Sequence, residues 1–335
     1  MKIVVDDKIP YIRPTLKALA DEVVALPGCA IGPKDVSDAD VLIVRTRTRC
    51  DRRLLAGSRV SMVATATIGF DHLDTRYLDE AGIFWTNCPG CNAGSVAQYV
   101  ETSLLLLEQQ RGLKLHTATI GIVGCGHVGS KVRKVAERLG MRTLVCDPPL
   151  AATNPDCFVS LDVIEREADV ITFHVPLTTD GPYPTRHMAD DAFFHRLARV
   201  PYIINTSRGP VVDGGALLAA LDEGRVRDAV LDVWEGEPRL DPALLQRVFI
   251  GTPHIAGYSA DGKVNADNMV VDAVCRHFHL ARPARIEPPA LPEGFCYTGN
   301  PLELYNPLTD SNRLKADPTQ FEFLRNDYPL RRETP

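Results

Sequence analysis

The sequence predicts an α/β protein with two doubly wound parallel sheets, the first interrupted in the chain by the second. Three observations carry this. Short apolar runs alternate with helix-length stretches, as strands buried on both faces between covering helices do. A glycine-rich turn at 124–129 opens a second such series. Two long helical stretches, one starting at Asn92 and one running from about Ala260 to Leu280, bracket that series. The chain therefore leaves the first unit, builds the second and returns. We expect a discontinuous substrate domain over 1–91 and 258–280, a cofactor domain over 92–257, and a short C-terminal tail over 281–335.

In the first unit "KIVVD", "ADVLIVR", "VSMVATA" and "GIFWTN" read as buried strands, with helices at "RPTLKALADE" and "HLDTRYLDEAG". The helix after Asn92 carries Val96, Val100, Leu104 and Leu107 on one face and stops near Gly112. In the second unit the strand before the glycine turn leads into a helix with Val128, Val132, Val135 and Leu139 in phase, ended by Gly140. The strands "RTLVCD", "ADVITFHV", "PYIINTS", "DAVLDVW" and "VFIGT" follow. The tail is rich in proline; only "PTQFEFLRNDY" reads as helical, and we expect it on a surface or against a partner subunit.

A chain of 335 residues, 45% of them hydrophobic, can bury a large core. Its net charge of -6, without a basic stripe, argues against nucleic acid. The N-terminus lacks a signal-peptide pattern and no apolar run is long enough to span a bilayer, so a cytoplasmic protein without membrane contact is expected. The nine cysteines lie in scattered apolar segments and read as free thiols. Cys88 and Cys91 form a C-x-x-C in "NCPGCN", but nothing completes a metal site, and the segment reads as a turn before a helix. No metal is expected.

"GIVGCGHVG" places Gly124, Gly126 and Gly129 between an apolar strand and an amphipathic helix, and Asp147 ends the next strand. This is the dinucleotide fingerprint in its proper context, and the unit is Rossmann-like. The glycines permit a tight turn, close approach of pyrophosphate, and close helix packing, while the helix N-terminus supplies free N–H groups. Asp147 suits the hydroxyls of an adenosine ribose and repels a 2'-phosphate, so NAD is expected over NADP.

Arg208 follows the strand "PYIIN" at the carboxyl edge, where open parallel sheets bind ligands. The next strand end offers Asp232, Glu235 and Glu237, and the one after it His254 and Tyr258. Oxidising an alcohol to a carbonyl requires a base for the hydroxyl proton, a role suited to histidine. A carboxylate steadies the ring, and the arginine fork clamps an anionic substrate.

The motifs "GCGHVG", "NTSRGPVVD", "LDVWEGEP" and "TPHIAGYS", in this order, resemble the D-2-hydroxyacid dehydrogenase family over nearly the whole chain. The resemblance implies that Arg208 holds the substrate carboxylate, that Glu237 is the carboxylate partner, and that His254 is the acid/base. It places Gly124, Gly126, His127, Val128, Gly129, Asp147, Val175, Thr206, Ser207, Arg208, Asp232 and Gly257 around NAD, and leaves Glu235 a solvated bystander. "TATIGFDHLD", "PGCNAGSVAQYV" and "HIAGYSADGK" narrow it to a branch whose 2-hydroxy acid also carries a phosphate. Arg45, Thr46, Arg47, Thr67 and Tyr258 are then the candidate substrate contacts. Were "VRTRTR" extended, Arg45, Arg47 and Arg49 would share one face. Closure of two domains over the substrate and a homodimer formed through the cofactor unit are also implied.

Two positions depart from the family pattern: Val175 stands where a threonine is common, and the tail is short for a dimerisation region. Two other readings fit the same residues. One is a dehydrogenase of another D-2-hydroxy acid such as 3-phosphoglycerate or glycerate; the other is an NAD-sensing binding protein on the same fold.

Overall fold

The computed structural model describes residues 1–291 and 293–334 and divides into two compact units. The first comprises Met1–Asn92 and Ser259–Glu293. Its parallel sheet contains β1 (Lys2–Asp6), β2 (Glu22–Leu26), β3 (Val41–Val44), β4 (Met62–Thr65) and β5 (Phe84–Thr86), in the order β2-β1-β3-β4-β5. Register is set by pairs such as Ile3↔Val41 and Met62↔Phe84. β3 and β4 are buried along their whole length, which is why both read as unbroken apolar runs. The helix Ala260–His277 packs Val270, Val271 and Val274 with Ile3, Val5 and Ile43 in one core.

One strand of this sheet differs from expectation. The helix read over "RPTLKALADE" spans only Arg13–Lys17, and "EVVAL" forms β2 at the sheet edge. Its residues are exposed or half-buried, and its apolar run over 23–26 follows directly on the stretch read as a helix and was not separated from it.

The second unit comprises Ala93–Tyr258 together with the chain from Gly294 onward. Its six parallel strands are β6 (Thr119–Val123), β7 (Arg142–Cys146), β8 (Val170–Phe173), β9 (Tyr202–Asn205), β10 (Asp228–Leu231) and β11 (Ile250–Gly251), in the order β11-β10-β9-β8-β6-β7. The chain runs outward from β6 to β7 and then returns to β8 on the other side of β6. Strand order therefore reverses beside the carboxyl end of β6, where crevices for dinucleotides form. The helix Ala93–Arg111 buries Val96, Val100, Leu104 and Leu107. Helix His127–Arg138 buries Val132 and Val135, and Gly112 and Gly140 follow these helices with φ of +79° and +77°.

The tail does not form a body of its own. Residues 281–293 belong with the first unit and those from 294 onward with the second; positions 292 and 335 lie outside the described residues. Besides the expected helix near the end, Phe321–Asn326, there is a helix Pro307–Ala316. Leu314, Phe321 and Leu324 are buried in the same core as Leu245 and Trp234, and Ser311 Oγ accepts the Gly251 N–H at 3.0 Å. Burial of these apolar groups within their own chain explains why the segment is not merely a surface strap. Among the described residues no helix is long and apolar enough to cross a membrane.

Candidate active site

The cofactor turn is built as its glycines require. Gly124 has φ +90°, and a Cβ there would lie 2.6 Å from the His174 carbonyl oxygen. A Cβ on Gly129 would stand 1.9 Å from the Gly124 carbonyl, so this glycine lets the helix close onto the turn. Gly126 is different: an added Cβ would meet no atom within 4 Å. That open space lies at the N-cap of helix His127–Arg138, with no side chain capping it, and His127 is exposed while Val128 is half-buried. Uncapped N–H groups facing open space are a fit for pyrophosphate. Asp147, at the end of β7, accepts from the Cys125 N–H at 2.8 Å and the Leu150 N–H at 3.1 Å. Its carboxylate thereby ties the glycine turn to the ribose side of the site.

Beyond β8, His174 joins its Nε2 to Thr172 Oγ1 at 2.9 Å, and its Nδ1 lies 3.4 Å from Thr206 Oγ1. Loss of solvent around the ring pushes its pKa down to about 3, so it is neutral and can only orient its neighbours. Val175 stands next in the chain and its Cγ1 lies 2.9 Å from where a Gly124 Cβ would be, so it packs as an apolar wall of the turn.

At the end of β9, Asn205 Oδ1 accepts from the Ser207 N–H at 3.0 Å and the Ser207 hydroxyl at 2.8 Å, and its Nδ2 donates to the Arg208 carbonyl at 3.0 Å. The turn carrying Thr206, Ser207 and Arg208 is thus fixed from within. Arg208 is half-buried, and its Nη1 donates to the Ser207 carbonyl at 2.8 Å. Among the described residues it has no carboxylate partner.

His254 and Glu237 come together from separate strand ends. His254 Nδ1 lies 2.6 Å from Glu237 Oε1, and Glu237 also accepts the Trp234 N–H at 3.3 Å. Burial works against ionising Glu237, but the bond and charge of His254, the charge of Arg325 and the Trp234 N–H prevail and lower its pKa. With Nδ1 held, Nε2 is the nitrogen left for substrate. His254 has φ +59°, a left-handed backbone that costs energy in a residue with a side chain, and its N–H is held by the Asp232 carbonyl at 2.8 Å. The Asp232 carboxylate is buried and accepts from Thr252 Oγ1 and from the N–H groups of Ile255 and Ala256, at 2.7 to 2.8 Å. It therefore shapes the loop that holds His254, Gly257 and Tyr258. Glu235 pairs with His187 at 2.8 Å and with Arg186 at 3.4 Å, apart from this pair.

In the first unit the arginine run is not extended. β3 ends at Val44 and a turn follows at Thr46 and Arg47, which removes the alternation that would align Arg45, Arg47 and Arg49. Arg45 instead pairs with the buried Asp6, Nε to Oδ2 at 3.2 Å and Nη2 to Oδ1 at 3.3 Å. Its Nη1 makes no hydrogen bond among the described residues. Thr46, Arg47 and Arg49 are exposed, and Arg49 pairs with Asp51 at 3.4 Å. Thr67 joins Thr65 Oγ1 at 2.7 Å and donates to the Gly69 carbonyl, and the buried His72 completes the set through Thr65. Cys88 and Cys91 are buried free thiols, and burial pushes Cys88 far above the ordinary thiol range. Among the described residues no His, Cys, Asp and Glu side chains cluster as a metal site would require.

His174, Asn205 and Arg325 are further neighbours, and each lies within a segment of recognisable pattern, "ADVITFHV", "NTSRGPVVD" and "PTQFEFLRNDY", in which nothing set these residues apart.

A histidine held by a carboxylate, an arginine without a carboxylate partner among the described residues and a dinucleotide turn, all at strand ends of one sheet, are the groups that an NAD-dependent oxidation of a 2-hydroxy acid requires. Residues 96–256 match the family described as D-isomer specific 2-hydroxyacid dehydrogenase, NAD binding domain. The chain is 54% identical to an erythronate-4-phosphate dehydrogenase of Bacteroides fragilis over 99% of its own length and 97% of that protein's. With an erythronate-4-phosphate dehydrogenase of Salmonella schwarzengrund the identity is 43% over 99% and 87%. A D-lactate dehydrogenase of Aquifex aeolicus, solved with NAD and lactic acid, superposes with a TM-score of 0.68 at 25% identity, covering 83% of this chain and 96% of that one. The chain belongs to the erythronate-4-phosphate dehydrogenases of the D-2-hydroxyacid dehydrogenase family, and its second unit is an NAD-binding domain.

Proposed function

We infer that the protein oxidises the 2-hydroxyl of 4-phospho-D-erythronate to the 2-oxo acid with NAD, a step of pyridoxal 5'-phosphate synthesis. The observation that carries this is the 2.6 Å bond between His254 Nδ1 and Glu237 Oε1, within a chain so similar to enzymes named for that substrate. When bound, NAD supplies the acceptor for the hydride leaving C2. His254 Nε2 takes the hydroxyl proton as the carbonyl forms, and Glu237 stabilises the resulting imidazolium. Arg208 holds the substrate carboxylate through two donors of its fork, which orients C2.

Gly126, His127, Val128 and the turn glycines 124 and 129 receive the pyrophosphate, and Asp147 the adenosine ribose. Val175, Thr206, Ser207, Asp232 and Gly257 complete the NAD contacts, Asp232 and Gly257 through the loop they shape. As substrate contacts we propose Arg45, presented by Asp6 with Nη1 outward, and Thr46, Arg47, Thr67 and Tyr258. A cytoplasmic homodimer formed through the NAD-binding unit belongs to the same reading, with light scattering in solution as its check.

The experiment is absorbance at the NADH band after mixing the protein and NAD with 4-phospho-D-erythronate or with 3-phosphoglycerate, each with and without a 2-oxo acid acceptor. NADH formed with the first substrate alone is expected. Faster turnover of 3-phosphoglycerate would overturn the substrate assignment, and NAD binding without turnover of either would favour a binding protein.

A further inference from the structure

The Phe321–Asn326 helix places Arg325 Nη1 3.8 Å from Glu237 Oε1, the same oxygen that holds His254 Nδ1. Its side chain is only 21% exposed, and Tyr258 on the neighbouring loop is one of the groups acting on its guanidinium. We propose that Arg325 is a positioning residue of the active site, setting the proton affinity of His254 through Glu237 and holding Tyr258 for the substrate. This rests on the function inferred above.

The placement is not incidental to a loose chain end. Phe321 and Leu324, on the same short helix, are buried in the core of the second unit. Six residues beyond Arg325, Arg331 donates to the carbonyls of Ile255, Ala256 and Tyr258 at 2.6 to 3.1 Å. The loop that carries His254 and Tyr258 is therefore fastened to the segment that carries Arg325.

The electrostatics give the contact a chemical consequence. A carboxylate on the Nδ1 side of an imidazole favours its protonated form. A guanidinium against the same carboxylate oxygen offsets part of that charge. The other titratable and charged groups around the pair are Tyr258 on the loop, Asp232 at the end of β10, and Tyr328 and Arg331 behind Tyr258. Arg325 is the cation placed directly against Glu237.

The test compares Arg325→Met and Arg325→Lys with the wild-type protein in two measurements. One is the pH profile of kcat/KM with 4-phospho-D-erythronate. The other is NMR titration of the His254 ring in the NAD complex, which needs no turnover. In the Met variant the acid limb and the ring pKa should both rise by roughly one pH unit. KM for the hydroxy acid should rise and NAD affinity should stay unchanged. The Lys variant should restore the limb, because charge returns, but not KM, because the fork to Tyr258 is lost. A folded, NAD-binding Met variant whose His254 titrates as in the wild type overturns the proposal. If the wild-type protein turns over no substrate, the function reading fails by itself and the ring titration still decides the role of Arg325. Should the Met variant not fold, Arg325→Gln is titrated in its place, with the same two outcomes.

Discussion

Arg208 at the end of β9 and Arg331 in the C-terminal segment both lie in the second unit without a carboxylate partner among the described residues, and they have opposite surroundings. Arg331 is 8% exposed, and its donors meet Gln98 Oε1, Ser95 and the carbonyls of Ile255, Ala256 and Tyr258, while its guanidinium lies 3.9 Å from the Tyr305 ring centroid. Arg208 is half-buried, and its side chain meets one carbonyl, that of Ser207. A guanidinium cannot escape desolvation by releasing its proton, so its donors must be met by something. The protein itself meets those of Arg331. At Arg208 the protein meets only one of them among the described residues, and the function proposed above gives the others to the substrate carboxylate. The contrast separates an arginine that builds from one that binds, which residue type alone does not.

On this contrast, changes around Arg208 alter turnover without altering stability. The largest effect belongs to the proposed base: His254→Asn should lower kcat by ~100-fold to 10,000-fold while NAD still binds, measured by steady-state rates and titration calorimetry. Arg208→Lys keeps the charge but loses the planar fork, and kcat/KM should fall by roughly 100-fold as the substrate is misplaced. Its unfolding free energy should stay within about 0.5 kcal/mol of the wild type. An Arg208→Lys variant that unfolds early with normal turnover would erase the distinction between the two arginines.

Arg331→Met is the converse experiment. It strips donors from several buried carbonyls at once, so a loss of about 2 to 4 kcal/mol in urea unfolding is expected. Turnover should fall less than in the Arg208→Lys variant, measured at a temperature where the protein remains folded. Unchanged stability would mean that water replaces the guanidinium without cost, and that the segment is not a structural fastening.

What was legible in the sequence follows the same division. Arg208, Glu237 and His254 each follow an apolar strand, so the strand pattern placed them at one sheet edge, but choosing Glu237 over Asp232 and Glu235 took the family resemblance, and the structure joins Glu237 to His254. The glycine turn was equally local. Arg325 and Arg331 were not legible, because their partners are distant in sequence: Arg331 reaches Ser95 across 236 positions. No periodicity encodes where such a segment docks. Arg45 shows a subtler failure. Its charge was visible, but its pairing with Asp6, 39 positions earlier, depends on β1 and β3 being neighbours in the sheet. The early end of β3 was hidden because "VRTRTR" alternates like a strand. β2 went unseen because its short apolar run, 23–26, continues directly from a stretch with helical spacing.

The smallest expected effect concerns Glu237, which, unlike Arg208, has partners of opposite charge within the protein. Its pKa is lowered in the folded protein against an ordinary value of 4.5. A lowered carboxyl pKa means that the unfolded chain binds the proton more readily. The stabilisation is therefore present above the ordinary value and is lost as pH falls through the folded one. Glu237→Gln removes this linkage. Unfolding free energies measured from pH 6 downward should fall less steeply for the Gln variant, with the two curves diverging only below about pH 5. Superimposable slopes would mean that His254 and Arg325 do not favour the Glu237 charge in the folded state. The carboxylate would then hold the imidazole by geometry alone, and the charge balance assigned to Arg325 would lose its basis.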